Sequence, residues 1–208
     1  MTPDPRKKAG RFALLMNDIM ECKASKRCPS LKIRQFYFEP NPFTISRWKS
    51  EKGLFAKVID RRVVFVCESP GPSAHESQIG SIETCFYNSP RDDRFGKARL
   101  KYGLANCYMT NTVKCGVRRG TKHTQSEVES CRGFLVREID LLRPQIVVGV
   151  GGNAYRTIRT DTLSHLETPP VMFQITHYSS RRNPWESWDS EFPELLRLLS
   201  RLRPVAEW

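Results

Sequence analysis

The sequence lacks the long apolar segments that membrane and secreted proteins carry. No apolar run approaches the roughly 18 residues that a membrane helix needs. The basic stretch MTPDPRKKAGRF is not followed by the apolar region of a signal peptide. Internal repeats, low-complexity tracts and domain linkers are missing as well. We therefore expect a cytoplasmic, nucleoid-associated protein that forms one domain over residues 1–208.

An even set of cysteines, as a disulfide framework requires, is also missing. The chain has seven cysteines, and in a cytoplasmic protein such residues are typically buried thiols or ligands of a metal or cluster. Cys67 and Cys107 lie in the apolar runs VVFVC and CYMTNTV, which indicates small core residues. Four others lie at the boundaries of predicted elements and are candidate ligands: Cys22, Cys28, Cys115 and Cys131. Four thiolates suit an iron–sulfur cluster and a zinc ion equally well.

Acidic residues are few relative to basic ones. The chain has 22 Asp and Glu against 34 Lys and Arg, a formal net charge of +12 at pH 7. A surface of this charge attracts polyanions, which makes nucleic acid the leading class of partner. Many basic proteins bind no nucleic acid, so charge alone leaves the question open.

The order of the predicted elements indicates an α/β fold. Four β-branched or apolar runs predict buried strands over residues 62–67, 106–113, 145–150 and 171–176. Apolar spacing and helix-boundary signals predict helices over residues 8–23, within SEVESCRGFLVREIDLLRP with Ser126 as N-cap, from GGNAYRTIR, and over EFPELLRLLSRLR. Residues 29–58 are rich in Pro and aromatics and predict an irregular, loop-dominated excursion. Alternating strands and helices predict a central four-stranded parallel sheet in a three-layer α/β/α sandwich.

Polar groups follow three of the predicted strands. The elbow Glu68-Ser69-Pro70-Gly71 ends the first strand, the segment from Asn111 to Cys115 ends the second, and His177 follows the fourth. Ligands of parallel sheets bind at the carboxyl ends of the strands. We therefore expect these groups to line one crevice, although a strand-to-loop turn without a ligand has the same local sequence.

Taken together, these motifs resemble the uracil-DNA glycosylase superfamily, and most closely its iron–sulfur-containing family 4 type. The resemblance is carried by ESPG, TNTVKC, SEVESCRGFLVREIDLLRPQIVVGVGGNA and the His after the last strand. It spans residues 63–153, and more loosely residues 22–28 and the region of His177. Three departures are visible: Cys67 replaces the first Gly of the elbow, Tyr178 replaces a Pro, and CFYNSPRDD lacks the family's P-F-x-G context.

The resemblance implies a catalytic set of three residues. Asn111 would read uracil through its amide, because an amide matches N3–H and O4 of uracil and mismatches the amine of cytosine. His177 would donate to O2 as negative charge develops on the leaving base. Glu68 would orient the attacking water.

The resemblance also implies residues that bind the substrate. The elbow Cys67, Ser69, Pro70 and Gly71 would present backbone N–H groups to a carbonyl of the flipped base. Phe86 would stack on that base, with Phe95 as a rival. Ser179 and Arg181, with their neighbours Ser180 and Arg182, would contact phosphates of the DNA, single- or double-stranded, and the protein would act as a monomer.

The cysteines have a role in this resemblance too. Cys115 and Cys131 would supply two ligands of a [4Fe–4S] cluster, and Cys22 and Cys28 the other two. The N-terminal pair reads CKASKRC here, a wider spacing than the family's C-x-x-C. The cluster would hold the N-terminal helix on the core, with zinc as the alternative.

Two other functions remain open. His123 lies in the loop GVRRGTKHTQSE, where certain relatives carry a His that attacks the deoxyribose and traps the protein covalently on DNA. The alternative for His123 is a place in a solvent-exposed basic loop near phosphate. The third function is a non-enzymatic, metal-containing DNA-binding module.

Overall fold

A computed structural model describes residues 5–22, 42–43, 46–50, 53–57, 59–69, 90–115, 123–180 and 183–202 of the chain. Its helices are α1 (Pro5–Met20), α2 (Pro90–Lys101), α3 (Gln125–Leu142), α4 (Gly152–Thr157) and α5 (Pro184–Arg201). Its strands are β1 (Ser46–Ser50), β2 (Gly53–Lys57), β3 (Asp60–Cys67), β4 (Cys107–Asn111), β5 (Ile146–Val150) and β6 (Val171–Ile175). A π-helical turn, Ile158–Thr162, and a 3-10 turn, Leu163–His165, extend α4.

The central sheet confirms the predicted fold. Strands β3 to β6 form one four-stranded sheet in the order β4-β3-β5-β6, and every neighbouring pair is parallel. All five residues of β4 and of β5 are buried. Their apolar character therefore comes from burial on both faces, as in other parallel sheets.

Helices cover both faces of this sheet. The side chains of each strand alternate between the two faces and so pack against helices on both sides. Val63 and Phe65 of β3 face a core that includes Trp188 of α5 and Phe95 of α2. The intervening Val64 faces a second core, which includes residues of α1, α3 and the π-helical turn: Phe12, Leu15, Leu135, Ile139 and Ile158. The protein is a three-layer α/β/α sandwich.

Some elements differ from the sequence prediction. Residues Ser46–Ser50 and Gly53–Lys57 form an antiparallel hairpin within the segment 29–58, for which irregular structure was expected. Helix α2 was not predicted, because PRDDRFGKARLK has few apolar residues to reveal its buried side. Helix α5 begins at Pro184, well before the predicted EFPELLRLLSRLR, with Asn183 as N-cap.

The N-cap of α3 is Thr124, so the prediction of Ser126 is wrong. Thr124 and Glu127 form a capping box, in which the Thr124 hydroxyl accepts from the Glu127 N–H and the Glu127 carboxylate accepts from the Thr124 N–H.

Among the described residues, no helix combines the length and apolar character needed to cross a membrane.

Candidate active site at the carboxyl edge of the sheet

The ends of β3 and β4 are joined beyond the last strand pair. The Thr112 N–H donates to the Cys67 carbonyl at 2.8 Å, and the Val113 N–H donates to the Glu68 carbonyl at 3.0 Å. The Thr112 hydroxyl donates to the same Glu68 carbonyl at 2.7 Å. These bonds fix Glu68 and Asn111 side by side at the carboxyl edge, as the sequence predicts.

Gly151 fixes the position of His177 at the ends of β5 and β6. Its N–H donates to the Ile175 carbonyl at 2.8 Å, and its φ of 89° lies in the region that favours glycine. A Cβ added at Gly151 would lie 2.9 Å from Cβ of His177. Any larger residue would therefore displace the imidazole.

The hydrogen bonds of His177 define the nitrogen that is free to donate. The Ser179 N–H donates to Nδ1 at 3.0 Å, and the Ser179 hydroxyl lies 2.7 Å from the same nitrogen. Burial lowers the pKa of His177, although the Glu68 carboxylate acts in the opposite direction. The ring is therefore neutral near pH 7, and since Nδ1 accepts, its proton is on Nε2.

Tyr178 packs directly on this imidazole. The ring centroids of His177 and Tyr178 are 4.1 Å apart in a stacked arrangement, and those of Tyr178 and Phe95 are 5.7 Å apart. Phe95 itself is 3% exposed and lies in the core. The residue that departs from the family pattern thus links His177 to the packed interior.

The residue before His177 is held by α5. Glu191 accepts the Thr176 N–H at 2.8 Å and the Thr176 hydroxyl at 2.7 Å. The Trp188 indole donates to the Thr176 carbonyl at 2.9 Å. Both backbone polar groups of Thr176 are therefore fixed to one helix.

The Glu68 carboxylate interacts electrostatically with two imidazoles. It raises the pKa of both His177 and His123 against the larger effect of burial. Its Oε2 accepts a hydrogen bond from Asn153 Nδ2 at 3.3 Å. Glu68 is partly exposed, so its carboxylate is accessible at this edge.

Asn111 presents an unused acceptor. Its side chain is 3% exposed, and its Oδ1 is buried without a hydrogen-bond partner in the described part of the chain. A buried amide oxygen without a partner is unfavourable by about 1–3 kcal/mol. Such an atom is suited to accept from a ligand N–H.

His123 is buried, so the expectation of a solvent-exposed position is wrong. Its imidazole is 4% exposed and Nδ1 lies 3.9 Å from Oε2 of Glu127. Neither ring nitrogen has a hydrogen-bond partner among the described residues. Burial lowers its pKa, and the carboxylates of Glu127 and Glu68 oppose that shift.

Three of the four candidate ligand thiols lie in the described residues. Burial raises the pKa of Cys131, while the backbone N–H and the ammonium of Lys114 lower it. The charge of Cys22 raises the same pKa, so the two thiols interact electrostatically. The described ranges contain no group of three or more His, Cys, Asp or Glu arranged to hold a metal ion.

The remaining predicted residues fall into two groups. The side chain of Cys67 is 1% exposed in the core, so only its backbone faces the edge. Ser69 directly follows Glu68 and is partly exposed. Several predicted residues lie outside the described part of the chain: Cys28, Pro70, Gly71, Phe86, Arg181 and Arg182.

The sequence analysis did not identify two supporting residues of this edge. Asn153 contacts Glu68, and the only signal for it was its place after the glycines that end β5. The Lys114 ammonium donates to the Asn111 carbonyl at 2.8 Å, and the motif TNTVKC gave no sign of this contact. The contact of Asn153 joins residues distant in sequence. The contact of Lys114 depends on the burial of its side chain.

The fold and this edge define a class of protein, and the comparison of sequences agrees with it. Residues 55–200 match the sequence model of the Uracil DNA glycosylase superfamily. The chain therefore belongs to the uracil DNA glycosylase superfamily.

A more particular likeness covers a short segment. Over 44 residues the chain is 39% identical to the Type-4 uracil-DNA glycosylase of Archaeoglobus fulgidus. The aligned segment is 21% of this chain and 22% of that protein. This similarity agrees with the family 4 type that the motifs indicate. It covers about a fifth of each chain.

Proposed function

We propose that this protein hydrolyses the N-glycosidic bond of deoxyuridine in DNA and so releases uracil, the first step of base excision repair. The unpartnered Oδ1 of Asn111 is the observation that supports this most directly. Uracil carries an N3–H that this oxygen can accept, whereas N3 of cytosine is itself an acceptor. The amide would therefore select uracil over cytosine.

The base would lie across the carboxyl edge of the sheet. The ends of β4 and β6 are three strand spacings apart, about 14 Å. Asn111 and His177 stand at these two ends with Glu68 between them. A planar pyrimidine flipped out of the DNA would lie between the two side chains.

His177 would stabilise the leaving base. Its Nε2–H would donate to O2 of uracil as the C1′–N1 bond breaks and the base takes the electron pair. Water held by Glu68 would add to C1′ of the oxocarbenium-like sugar, and its proton would pass to solvent or to the base. Asn153 would keep the Glu68 carboxylate oriented.

Other residues would complete the binding of the substrate. Phe86 would stack on the base, and the backbone of Cys67, Ser69, Pro70 and Gly71 would hold one of its carbonyls. Ser179 and Arg181 would contact phosphates. In this role Ser179 would serve twice, since its hydroxyl also meets Nδ1 of His177.

We propose further that Cys22, Cys28, Cys115 and Cys131 hold a [4Fe–4S] cluster, with zinc as the alternative. The group would tie the chain after α1 to the start of α3 and supply no step of the reaction. The electrostatic interaction of Cys22 with Cys131 supports this proposal. A brown protein with broad visible absorption and bound iron would favour the cluster, and a colourless protein with zinc would contradict it.

The reaction is tested by release of uracil from a labelled oligonucleotide. We expect Asn111→Asp and His177→Ala each to lose at least about 100-fold in kcat/KM, since each removes a group that acts on the reacting base. Matched controls are Asn106→Asp, in the exposed turn before β4, and His165→Ala, in an exposed turn. Normal turnover in the Asn111 and His177 variants would contradict the assignment.

The buried His123 supports a second candidate, a covalent trap for uracil-DNA. A ring nitrogen without a partner near Glu68 could bond to C1′ while the C1′–N1 bond breaks and uracil leaves with the electron pair. The product would be an SDS-resistant adduct that His123→Ala abolishes. Binding of DNA with neither base release nor an adduct would favour the third function, a metal-containing DNA-binding module.

A further inference from the structure

A buried ion pair, Lys114 with Glu138, contacts the backbone of Asn111, the residue proposed to read the base. The side chains of Lys114 and Glu138 are 7% and 3% exposed, and the ammonium contacts the carboxylate. Lys114 is in the loop after β4, and Glu138 is in α3. The pair therefore joins the end of an edge strand to the helix that packs on it.

All three donors of Lys114 are used. Besides the Glu138 carboxylate, the ammonium donates to the Thr110 hydroxyl at 2.8 Å and to the Asn111 carbonyl at 2.8 Å. Glu138 also accepts from the Tyr108 hydroxyl at 3.0 Å and from the Thr110 hydroxyl at 3.0 Å. The network is closed, and one of its bonds ends on the backbone of Asn111.

The position of β4 explains why that bond matters. β4 is an edge strand of the four-stranded sheet, so no strand in the described part of the chain donates hydrogen bonds to the carbonyls on its outer side. Lys114 supplies a donor to the last of its residues, Asn111. The backbone at Asn111 therefore pairs with β3 on one side and accepts a hydrogen bond from Lys114 on the other. The side-chain amide extends from this fixed backbone.

Stability alone is a poor reason for such a pair. A buried ion pair is typically no more stabilising than apolar residues of the same volume, because desolvation offsets the attraction between the charges. We propose that Lys114 and Glu138 are a positioning pair that holds Asn111 in the orientation needed to read the base. This inference rests on the proposed role of Asn111 in uracil release.

The test compares a double variant with the loss of either partner. Glu138→Leu alone leaves a buried cation and should lower Tm sharply, whereas Lys114→Met with Glu138→Leu should restore Tm toward the wild-type value. The double variant should still lose roughly 10- to 100-fold in kcat/KM for uracil release, because a misplacement of about 1 Å carries a penalty of that size. A double variant with wild-type Tm and wild-type kcat/KM would overturn the proposal.

The control is an ion pair on the same helix and away from the edge. Arg137 of α3 contacts Asp18 of α1 at 2.6 Å, with both side chains about half exposed. Arg137→Met with Asp18→Asn should leave kcat/KM unchanged. Iron content and visible absorption of every variant are compared with the wild type, since Lys114 neighbours Cys115, and loss of metal would otherwise lower the activity.

A second readout does not depend on catalysis. In protein labelled with ¹⁵N-asparagine, the signals of Asn111, assigned by their loss in Asn111→Asp, should shift or broaden in the double variant and stay unchanged in the control. If the wild type releases no uracil, the proposed function fails while these signals still test the positioning. Unchanged Asn111 signals in the double variant would overturn the positioning alone.

A milder variant covers the case in which the double variant does not fold. Thr110→Val keeps the shape of the side chain and removes the hydroxyl that Lys114 and Glu138 share. We expect it to shift the Asn111 signals and to lower kcat/KM several-fold. Thr160→Val is the matched control, because Thr160 is an exposed residue of the π-helical turn whose hydroxyl donates only to the Arg156 carbonyl. Equal, wild-type values of both measures in the two variants would contradict the proposal.

Discussion

At the scale of single residues, the site depends on which polar atoms already form hydrogen bonds within the protein and which do not among the described residues. His177 uses Nδ1 within the protein and leaves Nε2 to donate. Asn111 leaves Oδ1 without a partner among the described residues. In the proposed reaction, the free donor of His177 would meet O2 of uracil and the free acceptor of Asn111 would meet N3–H.

Two partly buried histidines should make the stability of the protein depend on pH. Burial lowers the pKa of His123 and of His177 below the ordinary value of about 6.5. As pH falls through about 6.5, the unfolded chain binds protons at these positions before the folded chain does. The free energy of unfolding should therefore decrease below about pH 6.5, by up to about 1.4 kcal/mol per histidine for each unit of pKa difference.

Urea denaturation at pH 7.5 and pH 5.5 measures this effect. We expect His123→Gln and His177→Gln each to reduce the loss of stability between the two pH values. His165→Gln, in the exposed turn after α4, should leave it unchanged. The same loss in all three variants and in the wild type would contradict the prediction.

At the scale of elements, the start of α3 is capped next to His123. The capping box of Thr124 and Glu127 satisfies backbone donors at this end. Glu127 is fully buried and faces the His123 ring. One carboxylate thus caps the helix and neighbours the buried imidazole.

Removal of this cap should be measurable. Thr124→Ala should lower the free energy of unfolding by about 1 kcal/mol, since the N-cap acceptor is lost. Ser126→Ala is the matched control, because Ser126 lies inside the first turn of α3 and is exposed. Urea titration at pH 7.5 compares the two variants. An equal loss in both would show that the capping bond has no specific effect.

The elements also show where pattern reading succeeds. The strands β3 to β6 were predicted within about two residues, since each coincides with a short run of mostly apolar, aromatic or β-branched residues. Helix α2 escaped prediction because burial of Phe95 and Ala98 depends on α5 and the sheet rather than on a repeating apolar pattern. The hairpin of β1 and β2 escaped it because its segment has no clear period.

At the scale of the whole molecule, charge should govern binding to DNA. The formal net charge is +12, and contacts between cations and phosphates release counterions when they form. If about four phosphates are neutralised, affinity for DNA should fall about 100-fold between 50 and 200 mM salt. Fluorescence anisotropy with an oligonucleotide free of uracil measures this binding. An affinity independent of salt would contradict the electrostatic account.

The sequence by itself determined the layer architecture and the residues at the strand ends. Short-range patterns carry both, because burial fixes the apolar runs and chain order fixes which residues follow each strand. Glu68, Asn111 and His177 could thus be placed at one edge of a parallel sheet before any coordinates.

Only the tertiary structure decided how these residues are held and which of their atoms are free. The contacts of Lys114 with Glu138, of Asn153 with Glu68, and of Glu191 with Thr176 join segments distant in the chain. The burial of the His123 ring and its electrostatic interaction with Glu68 also depend on segments that are distant in the chain. No local pattern encodes such contacts, because hydrogen bonding and desolvation depend on which atoms the whole fold brings together.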